Sequence, residues 1–361
     1  MKIFIDESGF TGEDLFNAQQ PMFTVASTNL SDDETGELWK QLFPKSKASE
    51  IKHTALVRDS RGQALAIELI RHLATMPTRS TVYVAHKRFC LLSKIVDLWV
   101  EPTMHSGGVD LYEGGGNIAL ANMLYFTLKT LNRKRFDVHL SEFQRMMRER
   151  TLEAYADFWS TIYMARKRSK KDIARVLDFF LVSEDQLGFP HLLHLPSKCL
   201  DICFAVALGI ITHWRELNNE TLSVVHDGSS NMAKEKWLWD AIVSPDVPEQ
   251  LVGFDVRTTK FPLGVTETVF ADSTIHRQLQ ICDVLSGATA TWAASLARLG
   301  RPDRTSYCKE LESAGIKSLL AGSIWPVPEV KRLKLHPDQE KMVDPLRFFA
   351  EIASSAKKNK Q

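Results

Sequence analysis

The sequence has no long apolar run and no excess of charge of one sign. Its longest apolar run, from Ile202 to Ile211, is ten residues, whereas a membrane span needs about 20, so this run suits a buried helix. The 45 Lys and Arg residues against 44 Asp and Glu give a formal net charge of +1. The net charge therefore gives the chain no overall attraction to nucleic acid, although a local basic surface could still provide one.

Cysteine is also scarce, and its placement is irregular. The five cysteines stand at 90, 199, 203, 282 and 308 without a repeated spacing, so we expect no disulfide framework. The apolar residues Ile3-Phe4-Ile5 are followed at once by acids, which is not the pattern of a signal peptide. We expect a cytoplasmic protein with no membrane partner.

The composition is that of a globular protein. With 44% hydrophobic and 25% charged residues, disorder, a coiled coil and a collagen-like fibre are excluded. The length of 361 residues fits one large domain or two ordinary ones.

Short β-rich segments and helical segments alternate along the chain. Apolar patterning predicts strands at residues 2–6, 22–29, 80–86, 222–226 and 252–258. Helical spacing predicts helices at about 62–74 and 273–299, and a mainly helical stretch over 89–215. The pattern favours an α/β fold with a mixed five-stranded sheet, flanking helices and a large helical insertion.

The same pattern divides the chain into four parts. Residues 1–88 form the first part of the core and 89–215 the helical insertion. Residues 216–300 form the second part of the core with the closing helix, and 301–361 form a C-terminal helical extension with a basic tail.

Acids stand where predicted strands end. Asp6-Glu7 follows Ile3-Phe4-Ile5, and Asp227 follows the strand at 222–226. In the closing helix, Gln280 and Asp283 share one face with His276 and Gly287 because of their three- and four-residue spacing. A further acid, Glu50, lies in the short segment Glu50-Ile51-Lys52-His53.

Such acids are poorly placed for a structural role. An ionised carboxylate at the end of a core strand loses hydration at a high cost in free energy unless a cation or hydrogen bonds compensate. Mg²⁺ and Mn²⁺ prefer oxygen ligands and leave positions open for water and phosphate oxygens. Two such ions about 4 Å apart can activate water and stabilise a leaving oxygen in phosphodiester cleavage.

Taken one at a time, these acids also fit helix caps, turns and surface positions. Asp227-Gly228, for instance, is an ordinary turn signal. Their joint placement at strand ends and on one helix face favours a metal site.

Three motifs resemble those of the bacterial domain-of-unknown-function 3800 family. Asp6-Glu7-Ser8-Gly9 resembles its opening motif, and Glu50-Ile51-Lys52 is similar to a short Glu-x-Lys element that follows. The segment 270–288, with Phe270-Ala271-Asp272-Ser273 and Gln280-Ile281-Cys282-Asp283, resembles its closing motif. Cys282 stands where the family usually has a small residue. The resemblance runs from residue 2 to about 290 and leaves out the helical insertion.

This resemblance implies a ribonuclease-H-like fold and nuclease chemistry. Nucleases of that fold carry acids on the first strand, on a nearby element, on the fourth strand and on a late helix. Asp6, Glu50, Asp227 and Asp283 fill these places in order, as ligands of Mg²⁺ or Mn²⁺.

The resemblance also implies supporting catalytic residues around the metal. Glu7 either replaces Glu50 or supports the ligands, and Lys52 contacts the scissile phosphate. Gln280, Ser8 and His226 support them. The alternatives are a surface charge for Lys52 and a strand-end hydrogen bond for His226.

A basic block provides a weaker signal for nucleic-acid contact. Residues 129–175 hold thirteen Lys and Arg against six Asp and Glu, which can track a phosphate backbone. Phe143, Tyr155, Trp159 and Tyr163 could stack on bases or face the core. The densest cations are Arg166, Lys167, Arg168, Lys170 and Lys171.

Two other motifs are weaker still. His191, His194, Cys199 and Cys203 have the residue types of a zinc site, but the cysteines open the most apolar helix, where buried thiols are common. Gly114-Gly115-Gly116 lacks the strand and the Lys-Ser/Thr of a phosphate loop and is expected to be a hinge.

Three functions stay open at this point. The first is a metal-dependent nuclease whose substrate is DNA or RNA. The second is an ATPase or phosphotransferase of the same fold, for which Asp227-Gly228-Ser229-Ser230 is a rough phosphate turn. The third is a non-catalytic module that binds nucleic acid or a partner protein, and a homodimer is compatible with each.

Overall fold

We analysed a computed structural model of the chain. It describes residues 1–44, 48–131, 133–228, 236–255, 257–334 and 336–358. Within these residues, no helix has both the length and the apolar character that crossing a membrane requires.

A six-stranded mixed sheet forms the centre of the molecule, in the order β7-β4-β1-β2-β3-β8. Its strands are β1 (Lys2–Ser8), β2 (Met22–Thr28), β3 (Ser80–His86), β4 (Leu222–Asp227), β7 (Val265–Ala271) and β8 (Leu320–Ile324). Only β2 runs against the other five, because β1 and β3 both pair with it antiparallel while β4, β7 and β8 add in parallel.

The predicted strands at 2–6, 22–29, 80–86 and 222–226 are confirmed to within two residues, but the fifth is wrong. The segment 252–258 reverses direction, because Asp255 has a left-handed backbone (φ 47°) and its Oδ1 accepts the Arg257 N–H (3.2 Å). It forms the hairpin of β5 (Gln250–Phe254) and β6 (Arg257–Phe261), which belongs to a separate small sheet with β9 (Met342–Val343).

The main sheet has six strands rather than the predicted five, because β7 takes the place of the segment 252–258 and β8 adds a sixth strand. Most residues of β7 are exposed or only partly buried, as in Thr266 and Glu267, because β7 lies at the sheet edge. The segment 301–361, predicted to be helical, also contributes β8 and β9.

Helices cover both faces of the main sheet. Those that precede β3 are α1 (Asp32–Leu42), α2 (His53–Leu56) and α3 (Ser60–Ala74). Those between β3 and β4 are α4 (Lys87–Ile95), α5 (Glu101–Ser106), α6 (Gly116–Leu131), α7 (Arg133–Glu149), α8 (Leu152–Arg168), α9 (Lys171–His194) and α10 (Cys203–Asn218). The remaining four are α11 (Lys236–Val243), α12 (Arg277–Leu296), α13 (Thr305–Ser313) and α14 (Pro345–Lys358).

Alternation along the strands separates two cores. Ile3, Ile5 and Val224 pack with the helices α4–α10 on one face. Phe4 and Val225 pack with α3, α12 and α13 on the other face. Since successive side chains of a strand point to opposite faces, each strand contributes to both cores. The predicted helical insertion is thus one layer of a core that it shares with the sheet.

Candidate functional site

Two predicted acids come together on the neighbouring strands β1 and β4. These strands are parallel, and Ile5 pairs with His226, so Asp6, near the end of β1, and Asp227, the last residue of β4, lie at one level. By alternation, Asp6 lies on the face of Phe4 and Asp227 on the face of Val225. Both carboxylates therefore point to the face that α12 covers.

The third acid, Asp283, is held over β1 and β2 by the contacts of α12. The Cys282 thiol donates to the Phe4 carbonyl oxygen (3.4 Å), and the Thr24 hydroxyl donates to the Ser286 carbonyl oxygen (2.9 Å). These contacts lie on either side of Asp283 in the helix. They fix the level of Asp283 relative to Asp6.

The fourth acid, Glu50, reaches the site because its segment is bonded along α12. The Ile51 N–H donates to Gln280 Oε1 (2.9 Å), and the His53 N–H donates to Asp283 Oδ1 (2.6 Å). Gln280 Nε2 donates to the Ser273 carbonyl oxygen (2.7 Å), and the Ser273 hydroxyl donates to Glu50. Both ends of the Gln280 amide bind backbone, so its role in this structure is to position the Glu50 segment.

Burial and mutual repulsion act on the carboxylates. The pKa of Asp6 lies well above its usual range, first because of burial and then because of the charges of Glu7, Asp283 and Asp227. The pKa of Asp283 is also raised, chiefly by burial, although the His53 N–H and Lys52 oppose the shift. A divalent cation would relieve this cost, since it favours the ionised form of every nearby acid.

Lys52 is the cation of the site. Its Nζ lies 3.2 Å from Glu50 Oε2, and its side chain is 47% exposed. Burial lowers the Lys52 pKa, but the hydrogen bond and charge of Glu50 and the charges of Asp283 and Asp227 outweigh burial, so the pKa is raised. Lys52 therefore stays charged beside the acids, where it can meet an anionic substrate.

Glu7 and His226 lie on the other face of the sheet. Both alternate away from the acids, and Glu7 Oε2 is 3.4 Å from His226 Nε2. The other ring nitrogen of His226 lies 3.1 Å from the Asp227 carbonyl oxygen. Burial lowers the pKa of His226 to about 4, so the ring is neutral at pH 7. Ser8, by contrast, alternates to the face of Asp6, and its carbonyl oxygen accepts from the Thr24 hydroxyl (3.4 Å).

The four acids are thus brought to one region by four separate segments. In the described part of the chain, no three His, Cys, Asp or Glu side chains stand close enough to form a ligand set as they are. The donor set consists of carboxylate oxygens, which fits Mg²⁺ or Mn²⁺ better than zinc.

One contributor was not predicted as a site residue. Ser273 binds Glu50 through its hydroxyl and Gln280 through its carbonyl oxygen. Ser273 belongs to the closing motif, and that motif is the sequence feature that could have identified it as a site residue.

The basic block of residues 129–175 runs from the end of α6 through α7 and α8 into the start of α9. Arg166 pairs with Asp178 (2.8 Å), whereas Arg168 and Lys170 line a cavity of about 460 Å³ together with Arg135 and His139. The aromatic residues mostly face the core: Phe143, Tyr155 and Trp159 are buried, and Tyr163 is 49% exposed.

The two histidines that have the residue type of zinc ligands lie within hydrogen-bond distance of backbone carbonyl oxygens. His191 Nε2 lies 2.8 Å from the Leu98 oxygen and His194 Nδ1 2.7 Å from the Pro190 oxygen. Cys203 is buried at the start of α10. The rough phosphate turn includes Ser229 and Ser230, which lie outside the described residues.

Comparison with known proteins gives no relative. No family model, no curated protein and no solved structure matches this chain.

Proposed function

We propose that this protein is a metal-dependent phosphodiester hydrolase that acts on nucleic acid. The observation that carries the proposal is the convergence of Asp6, Glu50, Asp227 and Asp283, from four segments, on the face of the sheet beneath α12. Repulsion among buried acids is unfavourable by itself, which argues that the arrangement serves a bound cation.

The sheet supports the proposed ribonuclease-H-like fold. Five of its strands lie in the order β3-β2-β1-β4-β7 with β2 reversed, the order expected of such a sheet. Acids on the first strand, the fourth strand and a late helix agree with the resemblance to the domain-of-unknown-function 3800 family.

Each residue then has a defined task. Asp6, Glu50, Asp227 and Asp283 hold the cations. When bound, Mg²⁺ or Mn²⁺ supplies activation of a water and stabilisation of the departing oxygen. Lys52 binds a non-bridging oxygen of the scissile phosphate, in exchange for its contact with Glu50. Gln280 and Ser273 keep Glu50 in place.

The test is cleavage of labelled single-stranded DNA, duplex DNA, RNA and an RNA–DNA hybrid, with Mg²⁺, Mn²⁺ or EDTA. We expect cleavage with metal, none with EDTA, and a loss of at least about a hundredfold in Asp6→Asn and Asp227→Asn. Asp246→Asn, an exposed aspartate, is the matched control and should cut like wild type.

Two outcomes would contradict the proposal. If nothing is cut while metal still raises the melting temperature of wild type but not of Asp6→Asn, nucleotide hydrolysis becomes the hypothesis to test. If neither cleavage nor metal binding is seen, the acids have no catalytic role and an interaction module explains the chain better.

A further inference from the structure

A cavity of about 540 Å³ adjoins the acid site formed by Asp6, Glu50, Asp227 and Asp283. It lies between α1 and the first turns of α12, and Ser49 and Gln280 form the wall toward the acids. Gln280 and Asp283 are three residues apart on α12, which is a rise of about 4.5 Å. The cavity is thus about one helical turn from the metal-binding residues.

The cavity offers an aromatic surface. Trp39 and Phe43 line it, and their rings pack against each other with centroids 5.0 Å apart. Phe43 is buried, whereas Trp39 is only partly buried. A partly exposed indole that lines a cavity is a surface on which a nucleobase can stack.

The cavity also offers two exposed cations. Lys40 and Arg277 line it and are both exposed. Among the described residues, neither makes an ion pair or a side-chain hydrogen bond. The Arg277 guanidinium lies over Gly36, within 3.6 Å of where a Cβ would stand.

Among the described residues that line the cavity, Asp32 is the one carboxylate, and it is already bonded. Asp32 Oδ1 accepts from Gln278 Nε2 (2.7 Å), so a hydrogen bond offsets part of its charge. The charges that line the cavity favour an anion, and Trp39 favours an aromatic ring beside it. A nucleotide is the chemical class that has both a phosphate and an aromatic base.

We propose that this cavity binds one nucleotide of a single-stranded substrate, next to the phosphodiester at the acids. The base stacks on Trp39, and its phosphate meets Arg277 and Lys40. A paired base cannot leave its stack without a cost in free energy, so the cavity selects single strands over duplexes. This inference rests on the proposed function, because it assigns the substrate of the same acid site.

The test is the binding of fluorescein-labelled single-stranded and duplex oligonucleotides, in EDTA so that nothing is cut. Wild type should bind the single strand at least about tenfold more tightly. Trp39→Ala should weaken single-strand binding about tenfold and Trp39→Phe much less, because phenylalanine keeps a stacking face. Arg277→Gln should lower the slope of log K against log salt by about 0.7, the value for one phosphate of a single strand.

Lys309→Gln on α13, an exposed lysine, is the matched control and should bind like wild type. A mononucleotide should compete only weakly if the ligand is a strand, and fully if the cavity serves free nucleotides. Full competition would overturn the assignment of a strand.

The outcomes separate this inference from the proposed function. If wild type cuts nucleic acid but Trp39→Ala and Arg277→Gln bind single strands as wild type does, the cavity assignment is wrong and the hydrolase stands. If wild type cuts nothing while both variants lose single-strand binding, the hydrolase is wrong and the cavity is a binding site. Arg277→Gln changes an exposed side chain, so it decides the question even if Trp39→Ala unfolds.

Discussion

A buried carboxylate of the acid site, such as that of Asp6, lowers the free energy of unfolding. Asp6 is 6% exposed, and burial together with nearby acids raises its pKa. A carboxylate whose pKa is raised by folding binds its proton more tightly in the folded state, so its ionisation at higher pH reduces the free energy of unfolding. Residues selected for function commonly carry such a cost.

The first prediction concerns this cost. Asp6→Asn should raise the free energy of unfolding of the metal-free protein by on the order of 1 kcal/mol, because a buried charge is removed. The amide oxygen can still accept the Glu7 N–H, which bonds Asp6 Oδ1 at 2.8 Å. Mg²⁺ or Mn²⁺ should stabilise wild type only.

Urea unfolding with and without metal measures both effects. The exposed Asp246→Asn variant should behave like wild type in each. A metal-free Asp6→Asn protein that is less stable than wild type would show that the carboxylate is a structural group.

The second prediction concerns Gln280. Gln280→Met keeps most of the volume but leaves the Ile51 N–H and the Ser273 carbonyl oxygen without their partner. Each unsatisfied buried group costs about 1–3 kcal/mol, so we expect a loss of about 2–6 kcal/mol in unfolding free energy. Gln20→Met, at an exposed position, is the control. A loss below about 1 kcal/mol would mean that the Glu50 segment is held by other contacts.

The helix α12 packs so closely against the His53 ring at Gly287 that a side chain at this position would collide with the ring. A Cβ there would lie 2.4 Å from His53 Nδ1, so the His53 ring packs directly on the helix backbone. The His53 N–H is the donor to Asp283. The glycine therefore allows the Glu50–His53 segment to lie against α12.

The third prediction compares two helical glycines. Gly287→Ala should destabilise the protein by about 2 kcal/mol or more, since it forces the His53 ring away. Gly36→Ala in α1 meets only ordinary contact and should stabilise by up to about 1 kcal/mol through helix propensity. Thermal unfolding of both variants checks this. The same sign for both would refute the packing argument.

Helices and strands with strong local patterns could be predicted from the sequence. The four strands predicted at 2–6, 22–29, 80–86 and 222–226 and the acids that follow the first and the last of them are local features, and they led to Asp6 and Asp227. The strand β7 could not be found this way, because its polar residues follow from its position at the sheet edge. Only tertiary contacts, such as the bond between Ile51 and Gln280 across 229 positions, show how Glu50 joins the site. The periodicity of apolar residues in the sequence does not show such tertiary contacts.

For the whole molecule, acid should unfold the protein through its buried histidines. Burial lowers the pKa of His53, His139 and His226 to about 4 and that of His86 to about 3. Their ordinary pKa is about 6.5, so between pH 6.5 and 4 the unfolded chain binds more protons than the folded one. Stability from these groups is full above pH 6.5 and is lost as the pH falls.

The fourth prediction isolates one of them. His86→Gln should reduce the slope of unfolding free energy against pH by up to about 1.4 kcal/mol per pH unit between pH 6 and 4. His86 Nδ1 accepts the Phe89 N–H (3.3 Å), a bond that protonation abolishes. Urea unfolding at several pH values gives the slope, with the exposed His105→Gln as control. An unchanged slope in His86→Gln would mean that this ring is not the group that resists protonation.

The spread of the site along the chain has a consequence for synthesis. The central strand β1 pairs with β4 more than two hundred residues later, and Asp283 follows later still. Chains emerge at about 5–20 residues per second and fold from the N-terminus onward. Asp283 therefore emerges from the ribosome on the order of tens of seconds after Asp6. A nascent chain that ends within the helices α4–α10 carries Asp6 and Glu50 but lacks Asp227 and Asp283, so a truncated product cannot assemble the proposed metal site.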